Sequence, residues 1–211
     1  TREDAHAFIT DVTSGHAQIN VQGPRSRDLL QTLTTVDLSN EAFPFRTAQE
    51  IDIGYARVLC IRITYLGELG YELHVPAEQA THLYDRIVAA REAFGLRHAG
   101  LKALASLRME KAYRDYGHEM DNTDTLLEVG LGFFADLEKP GGFMGKEALL
   151  RQKAEGPPRR RLVQLLVKDP QPLMYHGEVV LRNGVPVGDI RSASYGFTLG
   201  GAVGLAMVHA D

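Results

Sequence analysis

From residue 55 to residue 65 apolar and polar side chains alternate. Leu59, Ile61, Ile63 and Tyr65 share one face, and Cys60, Arg62 and Thr64 share the other. The alternation resumes after Gly67 and Gly70, with Tyr71, Leu73 and Val75 on one face and Glu72 and His74 on the opposite one. The pattern predicts two strands joined by a glycine-framed turn. It places the Glu72 carboxylate on a rigid strand just beyond that turn. On the residues alone, Glu72 reads as a solvated group on a half-exposed hairpin.

Strand-like alternation is also present over residues 16–21 and 46–53. Gln22-Gly23-Pro24 turns the first of these into a helix, with Pro24 suited to the first helical position and Leu29, Leu30 and Leu33 on its apolar side. Residues 37–44 read as loop. After Pro76, helical spacing links Ala80, Leu83, Tyr84, Ile87, Val88 and Phe94, and Gly95 supplies the stop. A second helix is expected over residues 100–113, where Leu101, Leu104, Ala105 and Ala112 form the apolar stripe.

Arg108 falls in the middle of that stripe. Stranding a guanidinium in a core costs at least several kcal/mol, so it must meet carboxylates or carbonyls. Two readings stand level: a structural one, an internal ion pair or an arginine snorkelling past a helix end, and a functional one, an arginine fork aimed at an anionic or hydrogen-bonding ligand.

Residues 113–124 are polar, with Gly117 as a breaker, and residues 126–137 are apolar again. A short helix is expected over residues 145–151. Gly156-Pro157-Pro158-Arg159-Arg160 is a helix-breaking, charged stretch and marks a domain boundary. Beyond it the chain reads as all β: strands over 162–167, 178–181, 185–190, 192–200 and 202–208, with Asn183-Gly184 as a hairpin turn.

Composition adds bounds. The 211 residues are 44% hydrophobic and 24% charged, enough for a proper core in one large or two smaller domains. The net charge of −4 and a single basic block, Arg159-Arg160-Arg161, argue against a nucleic-acid surface. One cysteine, Cys60, excludes an internal disulfide framework and fits a reducing compartment. No apolar run reaches membrane-spanning length. With no initiating Met and an apolar run close to its end, the chain reads as an excerpt of a longer protein.

Several motifs carry no chemistry. Gly130-Leu131-Gly132-Phe133-Phe134-Ala135 lacks the strand and helix of a dinucleotide-binding unit, and Gly145-Lys146 is followed by Glu147 where a P-loop needs Ser or Thr. The eight histidines show no metal-ligand spacing, so no metal site is expected. No Gly-x-Ser-x-Gly elbow exists, and Cys60 reads as packing rather than nucleophile.

Taken together, the motifs resemble those of the aminomethyltransferase family. This family includes the T-protein of the glycine cleavage system and the folate-binding C-terminal half of dimethylglycine and sarcosine dehydrogenases. The resemblance runs through Asp11-Val12-Thr13-Ser14, Gln22-Gly23-Pro24-Arg25-Ser26-Arg27-Asp28-Leu29-Leu30 and the 65–73 stretch. It continues through Leu107-Arg108-Met109-Glu110-Lys111-Ala112, Tyr116-Gly117-His118-Glu119 and Thr125-Leu126-Leu127-Glu128-Val129-Gly130-Leu131. Phe143-Met144-Gly145-Lys146-Glu147-Ala148-Leu149, Arg182-Asn183-Gly184-Val185-Pro186-Val187-Gly188 and Ser194-Tyr195-Gly196 complete it. No one motif decides the matter; their order and spacing do.

The resemblance implies an α+β fold: a folate-binding domain of mixed or antiparallel sheets with flanking helices over 1–157, then a small and incomplete C-terminal β-barrel over 158–211. It implies tetrahydrofolate as the small-molecule partner, with Glu72 at the family's pterin-binding carboxylate and Arg108 at its folate-contacting arginine. Tyr65 and Tyr116 fall at tyrosines of the same site, while Phe133 and Phe134 are expected to pack in the core. The implied role is capture of a one-carbon unit as 5,10-methylenetetrahydrofolate. FAD is expected only in an upstream domain of the parent chain, absent here. The family's general-base Asp also lies upstream, so no catalytic residue is expected within this stretch and the stretch alone is expected to be inactive. Alternatives on the same scaffold are a stand-alone aminomethyltransferase or demethylase and a catalytically silent regulatory domain. Bacterial cytoplasm and mitochondrial matrix both fit.

Overall fold

A computed structural model describes residues 6–210. The chain forms two compact units that divide between Ala99 and Gly100. The proline- and arginine-bearing linker at 156–160 lies inside the second unit.

The first unit is built on a four-stranded antiparallel sheet. Its strands are β1 (His16–Gln22), β2 (Ala48–Ile53), β3 (Ala56–Ile61) and β4 (Gly70–Pro76), in the order β1-β4-β3-β2. Helices α1 (Ser26–Gln31), α2 (Ala80–Ala89) and α3 (Arg91–Phe94) complete it. Helix α1 begins two residues beyond Pro24, which sits in the preceding turn. One face of the sheet is fully buried: Ile51, Ile53, Val58, Cys60, Tyr71, Leu73 and Val75 are joined there by Leu29 and Leu30 of α1 and Leu83 and Ile87 of α2. At about 25 cal/mol per Å² of apolar area, this shared face supplies most of the stabilisation of the unit.

The register decides which face of β3 is buried, and Cys60 is packed in the core as expected. The buried row is Ala56, Val58 and Cys60, and Leu59 is 43% exposed. The cause is pairing: Cys60 lies opposite Leu73, whereas Leu59 lies opposite His74 and Ile61 opposite Glu72. The apolar Leu59/Ile61 row therefore shares the open face with Glu72 and His74. The strand ends at Ile61; beyond it the Arg62 N–H donates to the Thr47 carbonyl (3.0 Å), and its side chain donates to the Phe43 carbonyl (2.6 Å) and to Asn40 Oδ1 (2.7 Å). An irregular connection over 62–69, rather than a tight turn, leads into β4.

The second unit holds α4 (Leu101–Glu110), α5 (Lys146–Ala154), β5 (Arg160–Leu166), β6 (Val179–Arg182), β7 (Val185–Gly196) and β8 (Gly201–His209). The four strands form an antiparallel sheet in the order β5-β8-β7-β6. Strand β8 is central, with Ala202, Val203, Leu205, Ala206 and Met207 all buried. The fold is the expected α+β, and the second sheet is barrel-like in its meander of paired strands. Asn183 (φ 53°) and Gly184 (φ 81°) form the β6–β7 turn, the left-handed pair that a two-residue hairpin requires. Two expected strands merge into the single β7, which pairs along the length of β8 and absorbs the misfit as a register shift between Ile190 and Ser192.

Helix α4 is tied to this sheet by polar contacts. Ser106 Oγ donates to the Tyr195 carbonyl (2.6 Å), and Gln164 Nε2 donates to the Met109 carbonyl (2.7 Å). The Thr198 N–H donates to Glu110 Oε1 (2.8 Å). Phe133 and Phe134 are not core residues: they are 77% and 65% exposed, on a 3-10 turn (Gly132–Phe134), with their rings against each other at 4.3 Å. That turn lies in a segment without strand or long helix, so it offers no apolar face against which both rings bury.

Gly188 of β7 leaves no room for a side chain against β8. A Cβ there would lie 1.9 Å from the Met207 carbonyl oxygen and 2.8 Å from Val208 Cα, both main-chain atoms of the central strand. The Gly188→Ala variant is expected to lose about 1–3 kcal/mol of stability, read as a lower denaturant midpoint. Gly15→Ala, with nothing within 4 Å, is expected to match the parent.

Candidate functional site

The alternation of β4 fixes the Glu72 carboxylate. With Tyr71, Leu73 and Val75 fully buried, Glu72 must point to the opposite side of the sheet. There it is flanked by Asn20 of β1 and Ile61 of β3. Its side chain is 29% exposed, and its one described partner is His74, whose Nε2 lies 3.6 Å from Oε2. Both carboxylate oxygens thus keep acceptor capacity. A cavity of about 480 Å³ opens beside this face, bordered by Asp11, Thr13, His16, Gln18 and His74. Hydrogen bonds from the Thr13 side chain and backbone hold the Asp11 carboxyl below the usual carboxylate range. Tyr65 lies in the 62–69 connection and is half-buried.

In the second unit, Arg108 is buried as expected, at 6% exposed, but the expected apolar stripe is not the buried face of α4: Leu101 is 81% exposed, and the buried residues are Ser106, Arg108 and Met109. Arg108 Nη1 donates to the Tyr113 carbonyl (2.9 Å) and pairs with Glu119 Oε1 (2.7 Å). Glu119 is fully buried, and its Oε2 accepts from the Asp115 N–H (2.6 Å). The internal ion pair is therefore present. Both of these contacts use Nη1, and neither involves Nε or Nη2 of the fork. The pair also shapes the chain around it. Helix α4 stops at Glu110, Ala112 takes φ 55°, and residues 113–119 wrap back so that Glu119 reaches Arg108. Tyr116 is carried on this wrapped turn, 66% exposed, and the Gly117 N–H donates to the Met120 carbonyl (2.8 Å).

Arg114 braces the same turn, donating from Nε to the Val129 carbonyl (2.9 Å) and from Nη1 to the Ala112 carbonyl (2.7 Å). Burial lowers its pKa, and the Glu119 charge opposes that shift. The structure thus sets Arg108 and Tyr116 on adjoining segments of the second unit, whereas Glu72 and Tyr65 belong to the first. Sequence reading missed Glu119 as the partner. The signal was present: a cation on an apolar stripe demands an anion, and Glu119 is the acidic residue of the Tyr116-Gly117-His118-Glu119 motif.

A second polar knot joins the following loop to β5. Thr125 N–H and Oγ1 both donate to Glu128 Oε2 (2.9 and 3.0 Å), and the Glu128 N–H returns to Thr125 Oγ1 (3.3 Å). Arg160 bridges Glu128 (3.2 Å) and Asp124 (3.4 Å). Burial pushes the Glu128 carboxyl up, but the Thr125 hydrogen bonds and the Arg160 guanidinium outweigh it and hold it below its ordinary value. Among the described residues no group of three or more His, Cys, Asp or Glu is placed to hold a metal ion, and no helix is long and apolar enough to cross a membrane.

Two family models match the chain in order. The GCVT N-terminal domain covers residues 1–139, and the glycine cleavage T-protein C-terminal barrel domain covers residues 160–211. The chain belongs to the glycine cleavage T-protein family. Among curated relatives of this T-protein-type chain, 4-methylaminobutanoate oxidase (formaldehyde-forming) of Paenarthrobacter nicotinovorans is 40% identical over 97% of the chain. Mitochondrial sarcosine dehydrogenase of Mus musculus is 42% identical over 90% of it. The chain spans only 25% and 21% of these two relatives, respectively. Among solved structures, glycine cleavage system aminomethyltransferase T from Bartonella henselae aligns with a TM-score of 0.78 at 25% identity, over 92% of this chain and 52% of that one.

Removing one partner of the Arg108–Glu119 pair leaves a buried charge unpaired. Arg108→Met or Glu119→Gln is expected to cost about 3–5 kcal/mol, and the double variant less than the sum of the two, measured as a double-mutant cycle by denaturant unfolding. The Glu128 knot gives a pH signature. Its folded pKa lies below the unfolded one, so its stabilisation is complete above the unfolded value and lost as pH falls through the folded one. Glu128→Gln is therefore expected to lower stability by about 1–3 kcal/mol at neutral pH, and the gap to the parent closes as pH drops below about 4.

Proposed function

We propose that this T-protein-type chain binds tetrahydrofolate and is the one-carbon-accepting region of an FAD-dependent sarcosine- or dimethylglycine-dehydrogenase-type enzyme. The flavin belongs to an upstream domain of the parent protein. Residues 1–157 form the folate-binding part and 158–211 the barrel. The identity of 40–42% to oxidases and dehydrogenases of N-methyl amines favours this reading over a stand-alone aminomethyltransferase. Bacterial cytoplasm or mitochondrial matrix suits such an enzyme.

The observation that carries the reading is the free acceptor pair of Glu72. A half-buried carboxylate on a rigid strand, with no hydrogen bond from the described residues and only His74 Nε2 near it at 3.6 Å, suits a ligand edge that presents an amino group and a ring N–H side by side. Tetrahydrofolate supplies the nitrogens that take up a one-carbon unit as 5,10-methylenetetrahydrofolate. The work of this chain is binding and orientation. Glu72 fixes the pterin edge through paired charge-assisted hydrogen bonds. Arg108, with Nη1 anchored on Glu119, offers Nε and Nη2 to ligand oxygens. Tyr65 and Tyr116 supply aromatic surface and a hydroxyl each. Fixing the acceptor relative to the incoming carbon removes much of the entropic barrier to the transfer. The general base lies upstream, so the chain alone binds and orients without completing the reaction.

Glu72→Ala in the full-length protein is expected to weaken tetrahydrofolate binding by roughly ten- to a hundredfold, the loss of hydrogen bonds to a charged acceptor. Calorimetric titration measures it, with thermal unfolding as the control for folding. Undiminished binding, together with undiminished methylenetetrahydrofolate formation, would remove Glu72 from the site.

A further inference from the structure

The open face of the first sheet holds an interaction that the family match does not assign. Glu72 and His74 are two apart on β4 and therefore side by side on the same face. The His74 Nε2 atom is buried and has no hydrogen-bond partner, although the residue as a whole is only half-buried. Buried ring nitrogens are ordinarily satisfied, so this one is left facing a particular group. That group is Glu72 Oε2, at 3.6 Å.

The neighbours on the flanking elements leave Nε2 no other hydrogen bond. On β1, Gln18 stands opposite His74 and directs its Nε2 to Asn20 Oδ1 (3.1 Å), making no hydrogen bond to the imidazole. On β3, the residues opposite His74 and Glu72 are Leu59 and Ile61, which offer no side-chain polar atom. His16 and Asp11 border the adjoining cavity, where Asp11 already accepts from the Thr13 N–H (2.9 Å). A neutral ring with its Nε2 lone pair turned toward a carboxylate would be repelled. The arrangement therefore requires hydrogen on Nε2, whether the ring is neutral or charged. A carboxylate oxygen has two lone-pair sites, so an Oε2 facing the His74 Nε2–H at 3.6 Å still meets a ligand donor.

We propose that His74 is a positioning residue for Glu72: its Nε2–H holds the carboxylate in the rotamer that presents both oxygens to the paired N–H donors of a pteridine edge. The inference rests on the folate reading above. Without the imidazole, Glu72 is a flexible side chain whose rotamers must be frozen by the ligand itself, and that entropy is charged against affinity.

The test is tetrahydrofolate titration, by calorimetry under anaerobic reducing conditions, of the full-length protein and its His74→Phe, His74→Gln, His74→Asn and Glu72→Ala variants. Phe keeps the ring and removes the donor. Gln restores a donor near the Nε2 position, and Asn is too short to do so. His74→Phe and His74→Asn are expected to weaken binding roughly five- to tenfold. His74→Gln is expected to stay within about twofold of the parent, the remainder of one net hydrogen bond. The Gln–Asn contrast keeps the test decisive if the Phe variant folds poorly. Parent-like affinity for Phe and Asn, or equal loss for Gln and Asn, overturns the positioning role. If Glu72→Ala abolishes binding while all three His74 variants match the parent, only this inference falls. If Glu72→Ala binds normally, or the parent does not bind, the folate reading of Glu72 falls with it.

Discussion

The first unit depends on β4 lying between β1 and β3. A central strand has no freedom to slip: a shift of one residue would turn Tyr71, Leu73 and Val75 outward and bring Glu72 and His74 into the core. Burial of three large apolar side chains thus determines where the carboxylate points. Helices α1 and α2 reinforce that choice, because Leu29, Leu30, Leu83 and Ile87 close the same face. Tyr71 adds a polar tie, its hydroxyl accepting from Arg27 Nε at 3.2 Å while its ring lies 5.9 Å from that of Phe43. The open face is left with acids, amides, imidazoles, the exposed Leu59 and the half-buried Ile61.

The second unit solves a different problem. A cation sits where a helix faces apolar surroundings, and the chain answers by breaking the helix and folding a turn around an anion. Arg108 and Glu119 each satisfy main-chain groups as well as each other, through the Tyr113 carbonyl and the Asp115 N–H. Such a pair adds little net stability compared with a well-packed apolar core, but it enforces one local arrangement because every alternative strands a charge. The turn that presents Tyr116 is a product of that enforcement. The ligand-facing duty proposed for Arg108 is compatible with its structural one, because the fork has more donors than the pair consumes.

Much of this was legible in the sequence. The period-two pattern of β4 and the separation of Glu72 from the apolar row follow from alternation, and the β6–β7 turn follows from Asn-Gly chemistry. The burial of Arg108 was expected, but the stripe it was read from is not the buried face of α4, where Ser106 and Met109 are buried with it and Leu101 is exposed. The face of β3 that is buried did not follow. Both rows of that strand carry apolar residues, Val58 and Cys60 against Leu59 and Ile61, so periodicity alone offers no choice. Phe133 and Phe134 misled for a related reason: aromatic character signals burial only where an element provides a face to bury against.

What the sequence alone determined is therefore local. Strand and helix periods, turn residues and the need of Arg108 for a partner are set by side-chain chemistry within a few residues. The tertiary structure decided what depends on residues far apart in the chain. Pairing with β4 put Leu59 beside His74 and Ile61 beside Glu72, and a returning turn made Glu119, rather than another acid, the counter-ion of Arg108. Register and long-range pairing are fixed by packing across elements, and no local pattern encodes them.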